Sequence, residues 1–287
     1  MFFSIKTKIR RALSNILDLN RPSSYPFISG DGFRSLAQHH FDEISNMNPI
    51  HVQNNDIVFV RSDFLKEFFK NKHPLIKSSY ILISHNDDTN ITSEYEKYLD
   101  GKITHWFAEN LCFKHPKITP IPIGLENLRY NSKGKLSYFD QKDFKKEDYV
   151  YIKYNFSLYS DAERICAEEN LKKSSLAKKI EPKDQGEYIE NIKISHFVAS
   201  PRGRGIDCHR TWEAMYLKTM PIVLKNEMTK YFKEIGLPLL LIDSWDDIKK
   251  LTTESLRQEY QQANFENWTR KELSMDYWCN EIVKYKK

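Results

Sequence analysis

The chain reads as a two-domain α/β protein, each domain a parallel sheet with helices on both faces. Three observations predict this. Short apolar runs alternate with segments of helical periodicity, polar clusters follow those runs, and a lysine-rich, weakly periodic stretch from Asn131 to Asp148 separates two such sets. The expected division is residues 1–145 and 146–287. A length of 287 residues is enough for two cores of ordinary size.

In the first set the strands are expected at Tyr25 to Ile28, Ile57 to Val60, Tyr80 to Ile83 and Ile118 to Ile123, with helices at Phe33 to Ile44 and Asp63 to Phe69. Gly30-Asp31, Ser62-Asp63, His85-Asn86-Asp87-Asp88 and Gly124-Leu125-Glu126-Asn127 follow the strands, at the edge where open α/β sheets bind ligands. The second set has strands at Tyr149 to Tyr154, Ile194 to Ala199, Met220 to Leu224 and Leu237 to Ile242. Its helices are expected at Asp161 to Lys179, Asp207 to Leu217, Met228 to Glu234 and Asp246 to Leu251, and the tail from Thr253 to Tyr285 reads as wholly helical. That tail is expected to cross back to the first domain.

Composition narrows the function. Hydrophobic residues at 40% fit a folded protein. A net charge of +5, from 44 basic and 39 acidic residues, suits anionic small molecules or an anionic membrane surface without requiring nucleic acid, and neither an RNP run nor zinc-finger spacing occurs. Four scattered cysteines without a C-x-x-C pair give no zinc site or disulfide framework and suit a reducing cytosol. No apolar run reaches the roughly eighteen residues of a spanning helix. At the N-terminus Phe2, Ile5, Ile9, Ala12 and Ile16 form a stripe beside Lys6, Lys8, Arg10 and Arg11. Such a basic amphipathic helix either packs on its domain or lies at the inner face of a cytoplasmic membrane.

The richest stretch is Ser200-Pro201-Arg202-Gly203-Arg204-Gly205-Ile206-Asp207-Cys208-His209-Arg210-Thr211-Trp212-Glu213. It lies between an apolar strand and an amphipathic helix. Strand, glycine-containing basic loop and helix make an anion site, because loop amides and the helix dipole both favour negative charge. Asp207 is the expected N-cap, which puts Arg210 in the first turn and Glu213 on the same face. A guanidinium for a diphosphate beside a carboxylate for ribose hydroxyls would grip a nucleotide sugar. The glycines spell G-x-G-x-x-C, so a dinucleotide fingerprint is not met, and no G-x-x-x-x-G-K-[ST] P-loop exists. Asn155 and Ser157 end a strand beside this loop, while Arg164 either reaches it or pairs with Asp161 or Glu168.

The run Phe197-Val198-Ala199-Ser200-Pro201-Arg202-Gly203, with Asp207, Arg210, Trp212-Glu213-Ala214 and Pro221-Ile222-Val223, resembles the C-terminal signature of exostosin-like glycosyltransferases. The resemblance covers roughly Tyr149 to Asn226. It is looser before that, where Ser84-His85-Asn86-Asp87, Phe107-Ala108-Glu109-Asn110 and Ile121-Pro122-Ile123-Gly124-Leu125-Glu126-Asn127 look like bacterial relatives involved in surface polysaccharides. It implies a GT-B fold, two Rossmann-like domains facing a central cleft. It also implies transfer from a nucleotide-sugar donor to a glycan or lipid-linked glycan acceptor, with the arginine matching Arg210 near the donor diphosphate and the glutamate matching Glu213 near the ribose. The second catalytic module of animal exostosins is missing, so a heparan-type polymerase is not implied.

Transfer with inversion needs a base for the acceptor hydroxyl and positive charge for the departing diphosphate. No D-x-D triplet occurs, and neither Asp87-Asp88 nor Asp246-Asp247 is spaced as a metal pair. No metal or other cofactor is therefore expected, and Arg202, Arg204 and Arg210 are expected to stabilise the leaving group. The donor contacts expected are Ser200, Arg202, Gly203, Arg204, Gly205, Arg210, Glu213 and Asn155. For the base, Asp31 between two glycines is preferred, with Asp87 and His85 as alternatives and Glu109 and Glu126 behind them. A non-catalytic nucleotide- or glycan-binding module of the same fold is the competing reading.

Overall fold

The computed structural model describes residues 21–130, 135–140, 145–147, 149, 151–159 and 161–286. The expected helix from Phe2 to Ile16 and part of the Asn131 to Asp148 connection lie outside the described residues. The chain divides into two compact units, Met1–Lys135 with Ser274–Lys287, and Leu136–Leu273.

The first unit holds a parallel sheet in chain order: β1 (His39–Phe41), β2 (Asp56–Arg61), β3 (Tyr80–His85), β4 (Ile103–Ala108) and β5 (Ile118–Pro120). Val58 pairs with Leu82, and Leu82 with Trp106. Parallel strands are covered on both faces, which is why Ile57–Val60 and Tyr80–Ile83 are unbroken apolar runs and wholly buried. Helix α1 (Gly30–Ser35) precedes the sheet and α2 (Leu65–Asn71) follows β2.

Several expectations change here. Tyr25 to Ile28 forms no strand; Phe27 makes an isolated bridge to Ser274, and Pro26 has no N–H for a ladder. The helix expected from Phe33 to Ile44 stops at Ser35, and β1 occupies His39–Phe41. Strand β4 escaped sequence reading because Thr104 and His105 interrupt its apolar pattern. His105 is nevertheless buried, its Nε2 2.8 Å from Thr119 Oγ1, and burial pushes its pKa down to about 4, which keeps it neutral.

The second unit runs β6 (Ile152–Tyr154), α3 (Ala162–Lys173), β7 (Ala177–Lys179), α4 (Gln185–Lys193), β8 (Phe197–Ala199), α5 (His209–Tyr216), β9 (Met220–Leu224), α6 (Glu227–Glu234), β10 (Leu240–Ile242) and α7 (Thr253–Gln262). Its sheet is parallel with order β10-β9-β8-β6-β7. From β6 the chain moves outward to β7, then returns on the other side of β6 to build β8, β9 and β10. The direction of winding reverses between β6 and β8, and the crevice at such a switch point is where α/β sheets bind ligands. The first sheet, in simple chain order among the described strands, has no such reversal.

The helix expected from Asp161 to Lys179 ends at Lys173, where Ser174 turns the chain by accepting the Leu176 N–H on its hydroxyl. Strand β7 takes the remainder. Helix α4, which the sequence pattern did not reveal, buries only Ile189 and Ile192, too few for a clear stripe; its marker is the N-cap Asp184, which accepts from the Glu187 N–H. Asp246 to Leu251 is a 3₁₀ turn, Trp245–Lys250, capped by Ser244. The tail is not one helix: α7 ends at Gln262, Asn264 and Arg270 take left-handed φ of 46° and 56°, and α8 (Met275–Val283) restarts from the cap Ser274. Helix α8 belongs to the first unit, where Trp278 meets Phe33 edge-on at 6.3 Å. Two parallel α/β units, with the terminal helix returned to the first, are the expected fold class.

Candidate functional site

The switch point of the second unit is built from the sequence stretch richest in arginine. Strand β8 delivers Ser200, whose N–H extends the ladder to Ile222 O at 2.9 Å and whose hydroxyl meets Thr211 Oγ1 of α5 at 2.9 Å. The loop then closes tightly on itself. Gly203 N–H donates to Asp207 O, and a Cβ at Gly203 would stand 2.7 Å from that oxygen, so only glycine fits.

Asp207 was expected as the N-cap of α5. The cap is Cys208 instead, with no side-chain capping bond. The Asp207 carboxylate accepts the Cys208 N–H at 2.7 Å and the Trp212 indole N–H at 2.8 Å. Trp212 is fully buried, and a buried indole N–H left without an acceptor is costly. The aspartate therefore fixes the loop through the core and not through the cap.

Three amides of this stretch have partners within the protein: Arg202 N–H donates to Glu163 Oε1 at 3.1 Å, and the amides of Gly203 and Cys208 are taken by Asp207. The side chains of the loop and of α5 add positive charge. Arg210 hydrogen-bonds the Tyr188 hydroxyl, lies near Glu213, and has its guanidinium carbon 5.4 Å from the centre of the Phe156 ring. Burial works against its charge, but Cys208, Tyr188 and Glu213 more than compensate and its pKa is raised. Burial, with Glu213 adding to it, pushes the Tyr188 phenol up as well. Glu213 is buried beside Arg210 on α5, the shared face that the spacing predicts.

Arg202 Nη2 donates to Arg204 O at 2.6 Å, and Arg204 is exposed. Gly205 is buried, and Asn155 is half-buried just beyond β6, on the other flank of the switch point. Arg164 ties the two flanks together. Its Nε donates to Arg202 O at 2.8 Å and its Nη1 to Ser157 O, so it links the β6 side to the β8 side instead of pairing with Glu168. Tyr188, Phe156, Tyr159 and Glu163 were missed in the sequence. The aromatic runs beside Asn155 were visible; the contacts were not, because they join residues from different crossovers.

The candidate bases lie at the carboxyl edge of the first sheet. Asp31 is fully buried, with Arg129 Nε at 3.3 Å, Arg21 Nη1 at 3.6 Å and Asn86 Nδ2 at 3.0 Å. Burial raises its pKa against the pull of both arginines. The neighbouring Gly30 was expected to leave room for a ligand, but a Cβ there would stand 1.8 Å from Asn86 Oδ1; the glycine makes room for Asn86. As placed, Asp31 is an enclosed counter-ion.

His85 is likewise enclosed. Its Nε2 donates to Pro122 O at 2.9 Å and its Nδ1 lies 3.0 Å from Glu109 Oε2. Burial opposes protonation, but Glu109 outweighs it and the pKa is raised. Asp87 is different. Its Oδ1 accepts from Thr89, its Oδ2 lies 3.7 Å from Arg61 Nη2, and its side chain is 24% exposed, so solvent reaches the carboxylate. Asp63 stands nearby, 3.1 Å from Arg61 Nε and 35% exposed, with a pKa raised by burial against the pull of Arg61 and with the help of Asp87. Glu126 is half-buried.

No protein-family model matches the sequence, and no curated protein matches it. Solved structures do match. One is an α,α-trehalose-phosphate synthase (UDP-forming) from Burkholderia vietnamiensis, at 8% identity and a TM-score of 0.46 over 81% of this chain and 72% of that one. Another is TarM, at 14% and 0.43 over 80% of this chain and 54% of that one. A third is the GtfA/B complex, at 14% and 0.41 over 82% and 58%. The chain thus spans little more than half of the latter two. These are likenesses of fold and carry no assignment of activity, so the exostosin-like resemblance rests on the sequence motifs alone.

Glu43 binds this edge together. Its Oε1 accepts from Arg21 at 2.6 Å and Arg129 at 3.1 Å. Burial opposes its ionisation, but the bond from Arg21 and the charges of Arg21 and Arg61 prevail and pull its pKa from 4.5 to about 2. A depressed carboxylate stabilises the folded state above its unfolded pKa and loses that stabilisation as pH falls towards its folded one. Urea unfolding of the wild type should therefore lose about 2 kcal/mol through this group between pH of about 5 and about 2, after allowance for solvent screening. Glu43→Gln should lack that part of the acid sensitivity; identical pH profiles would remove Glu43 from this role.

Proposed function

We propose that the chain is a glycosyltransferase whose nucleotide-sugar donor places its diphosphate against Arg202, Arg204 and Arg210. The observation that carries this reading is where those arginines sit: beside the β6/β8 reversal of a parallel sheet, where ligands of such sheets bind. Guanidinium groups bind diphosphate oxygens in bidentate fashion and neutralise the charge that develops as the sugar–oxygen bond breaks. Glu213, on the same helix as Arg210, is assigned to the ribose hydroxyls, and Ser200, Gly203, Gly205 and Asn155 to the walls of the donor site. This arginine charge also supports transfer without a metal or other cofactor.

If the reaction inverts, the acceptor hydroxyl loses its proton to a carboxylate. Of Asp31, His85 and Asp87, the three leading candidates, Asp87 alone is reached by solvent, and we assign that proton to it. The sequence likeness to surface-polysaccharide enzymes supports a glycan or lipid-linked glycan acceptor, and the basic N-terminal sequence supports work at the cytoplasmic membrane face. No described helix is long and apolar enough to cross a membrane. The enclosure of Asp31 and His85 favours one other reading, a nucleotide- or glycan-binding module that does not catalyse transfer. Transfer of labelled sugar to an acceptor decides between the two.

Three outcomes are expected. Arg210→Ala should weaken nucleoside diphosphate binding at least ten-fold by calorimetry while melting near the wild-type temperature; unchanged affinity would remove the donor from this loop. Sugar transfer should survive EDTA, and its loss with recovery on adding magnesium or manganese would show that a cation supports the leaving group. Asp87→Asn should lower turnover by about 10²–10⁴-fold with donor affinity retained. Wild-type turnover in that variant would pass the role to another carboxylate, with Asp63 the next to test.

A further inference from the structure

The loop from β6 to α3 carries two aromatic rings, and each meets an arginine. Phe156 lies against Arg210. Tyr159 has the guanidinium carbon of Arg164 5.0 Å from its ring centre and that of Arg204 5.7 Å away. Arg204 belongs to the loop after β8, so the Tyr159–Arg204 contact joins the two flanks of the switch point. Tyr159 is also 66% exposed, an unusual position for a ring so well supplied with partners.

Its backbone is strained. Tyr159 has φ of +49°, a left-handed conformation that residues with a bulky side chain rarely adopt. Such strain persists only where surrounding contacts enforce it, and it concentrates at ligand sites. The enforcing contacts are visible here: Arg164 binds the carbonyls of Ser157 and Arg202 while its guanidinium faces the Tyr159 ring. The ring is thereby held at the edge that carries the arginines, with much of its surface open to solvent.

We propose that Tyr159 is the stacking platform for the nucleobase of the bound nucleoside diphosphate. The inference rests on the donor reading above and deepens it by assigning the base subsite. An exposed, electron-rich ring fixed beside a cationic loop suits a flat heteroaromatic ring attached to phosphates, and every base offers a face to stack. Arg204 would flank the stacked base as it now flanks the tyrosine. Stacking of this kind is sequence-tolerant, so Tyr159 supplies affinity for nucleotides as a class, and the choice among bases falls to hydrogen-bonding groups around it.

The test is calorimetry on the full chain with UDP, CDP, GDP, ADP and inorganic pyrophosphate. Tyr159→Ala removes the ring. Tyr159→Asn removes it while keeping a residue that tolerates positive φ, and Tyr159→Phe keeps the ring without the hydroxyl. Both ring-less variants should bind the preferred nucleoside diphosphate about ten-fold more weakly, with pyrophosphate affinity unchanged and Tyr159→Phe near wild type. Arg210→Ala should weaken nucleotide and pyrophosphate alike. Wild-type nucleotide affinity in both ring-less variants would overturn the stacking role while leaving the donor reading intact. Equal weakening towards pyrophosphate would overturn it too, since Tyr159 would then act by shaping the arginine loop. If the wild type binds none of the nucleotides, or Arg210→Ala binds them all normally, the donor reading fails and this inference fails with it.

Discussion

Parallel strands cannot be joined by hairpins, so each must return through a crossover, and all their carboxyl ends gather at one edge. In this chain that constraint places most of the candidate groups. His85 ends β3, and Asp63, Asp87 and Glu109 follow β2, β3 and β4, while Asp31 reaches the same region on α1, ahead of the first strand. Asn155, Ser200 and the arginine loop enter the second edge after β6 and β8. Polar side chains collect there because strand interiors buried on both faces exclude them, and a buried charge needs a partner.

The two edges treat their charge differently. Among the described residues of the first unit, Arg21, Arg61 and Arg129 lie within ion-pair distance of Asp31, Glu43, Asp63 and Asp87. The buried Asp31 and the half-buried Glu43 hold Arg21 and Arg129, and the solvent-reached Asp63 and Asp87 meet Arg61. In the second unit the acids act as scaffold. Asp207 serves an indole and an amide, Glu163 serves the Arg202 amide and the Trp245 indole, and the guanidiniums of Arg202 and Arg210 have Asp161, at 4.0 Å, and Glu213 near them.

Much of this was legible in the sequence, for physical reasons that also mark where reading stops. The unbroken run Tyr80–Ile83 identifies a doubly covered strand, the run expected from Ile194 to Ala199 holds one at Phe197–Ala199 after Ile194 closes α4, and the arginine–glycine stretch announces its strand-loop-helix setting. Strand β4 was hidden because its polar interruption, His105, is satisfied by Thr119 on the neighbouring strand, a partner that no local pattern reveals. The cap of α5 was misplaced by one residue because Asp207 answers a tertiary demand from Trp212 that outweighs local capping. Asp31 looked accessible because glycines on either side suggest space; Asn86, distant in sequence, fills that space. Local propensity was readable at each position, and the partners brought by crossovers were not.

That distinction bears on what the arginine loop can do. The amides of Arg202, Gly203 and Cys208 are bonded to Glu163 and Asp207, and Gly203 closes the loop at a distance that admits no side chain. Arg164 then binds the carbonyls of Ser157 and Arg202 on opposite flanks of the reversal, which ties the loop carrying the aromatic rings to the loop carrying the arginines. Ordering a rotamer-rich side chain on binding costs about 0.5–1.5 kcal/mol, and a site with its cations already held avoids part of that cost. Arg210 is the most constrained of them, held between Tyr188, Glu213 and Phe156, whereas Arg204 stands exposed. A well-partnered inner guanidinium and an exposed outer one suit a ligand anchored at its phosphates, which electrostatic attraction, acting at longer range than stacking, would bring in first.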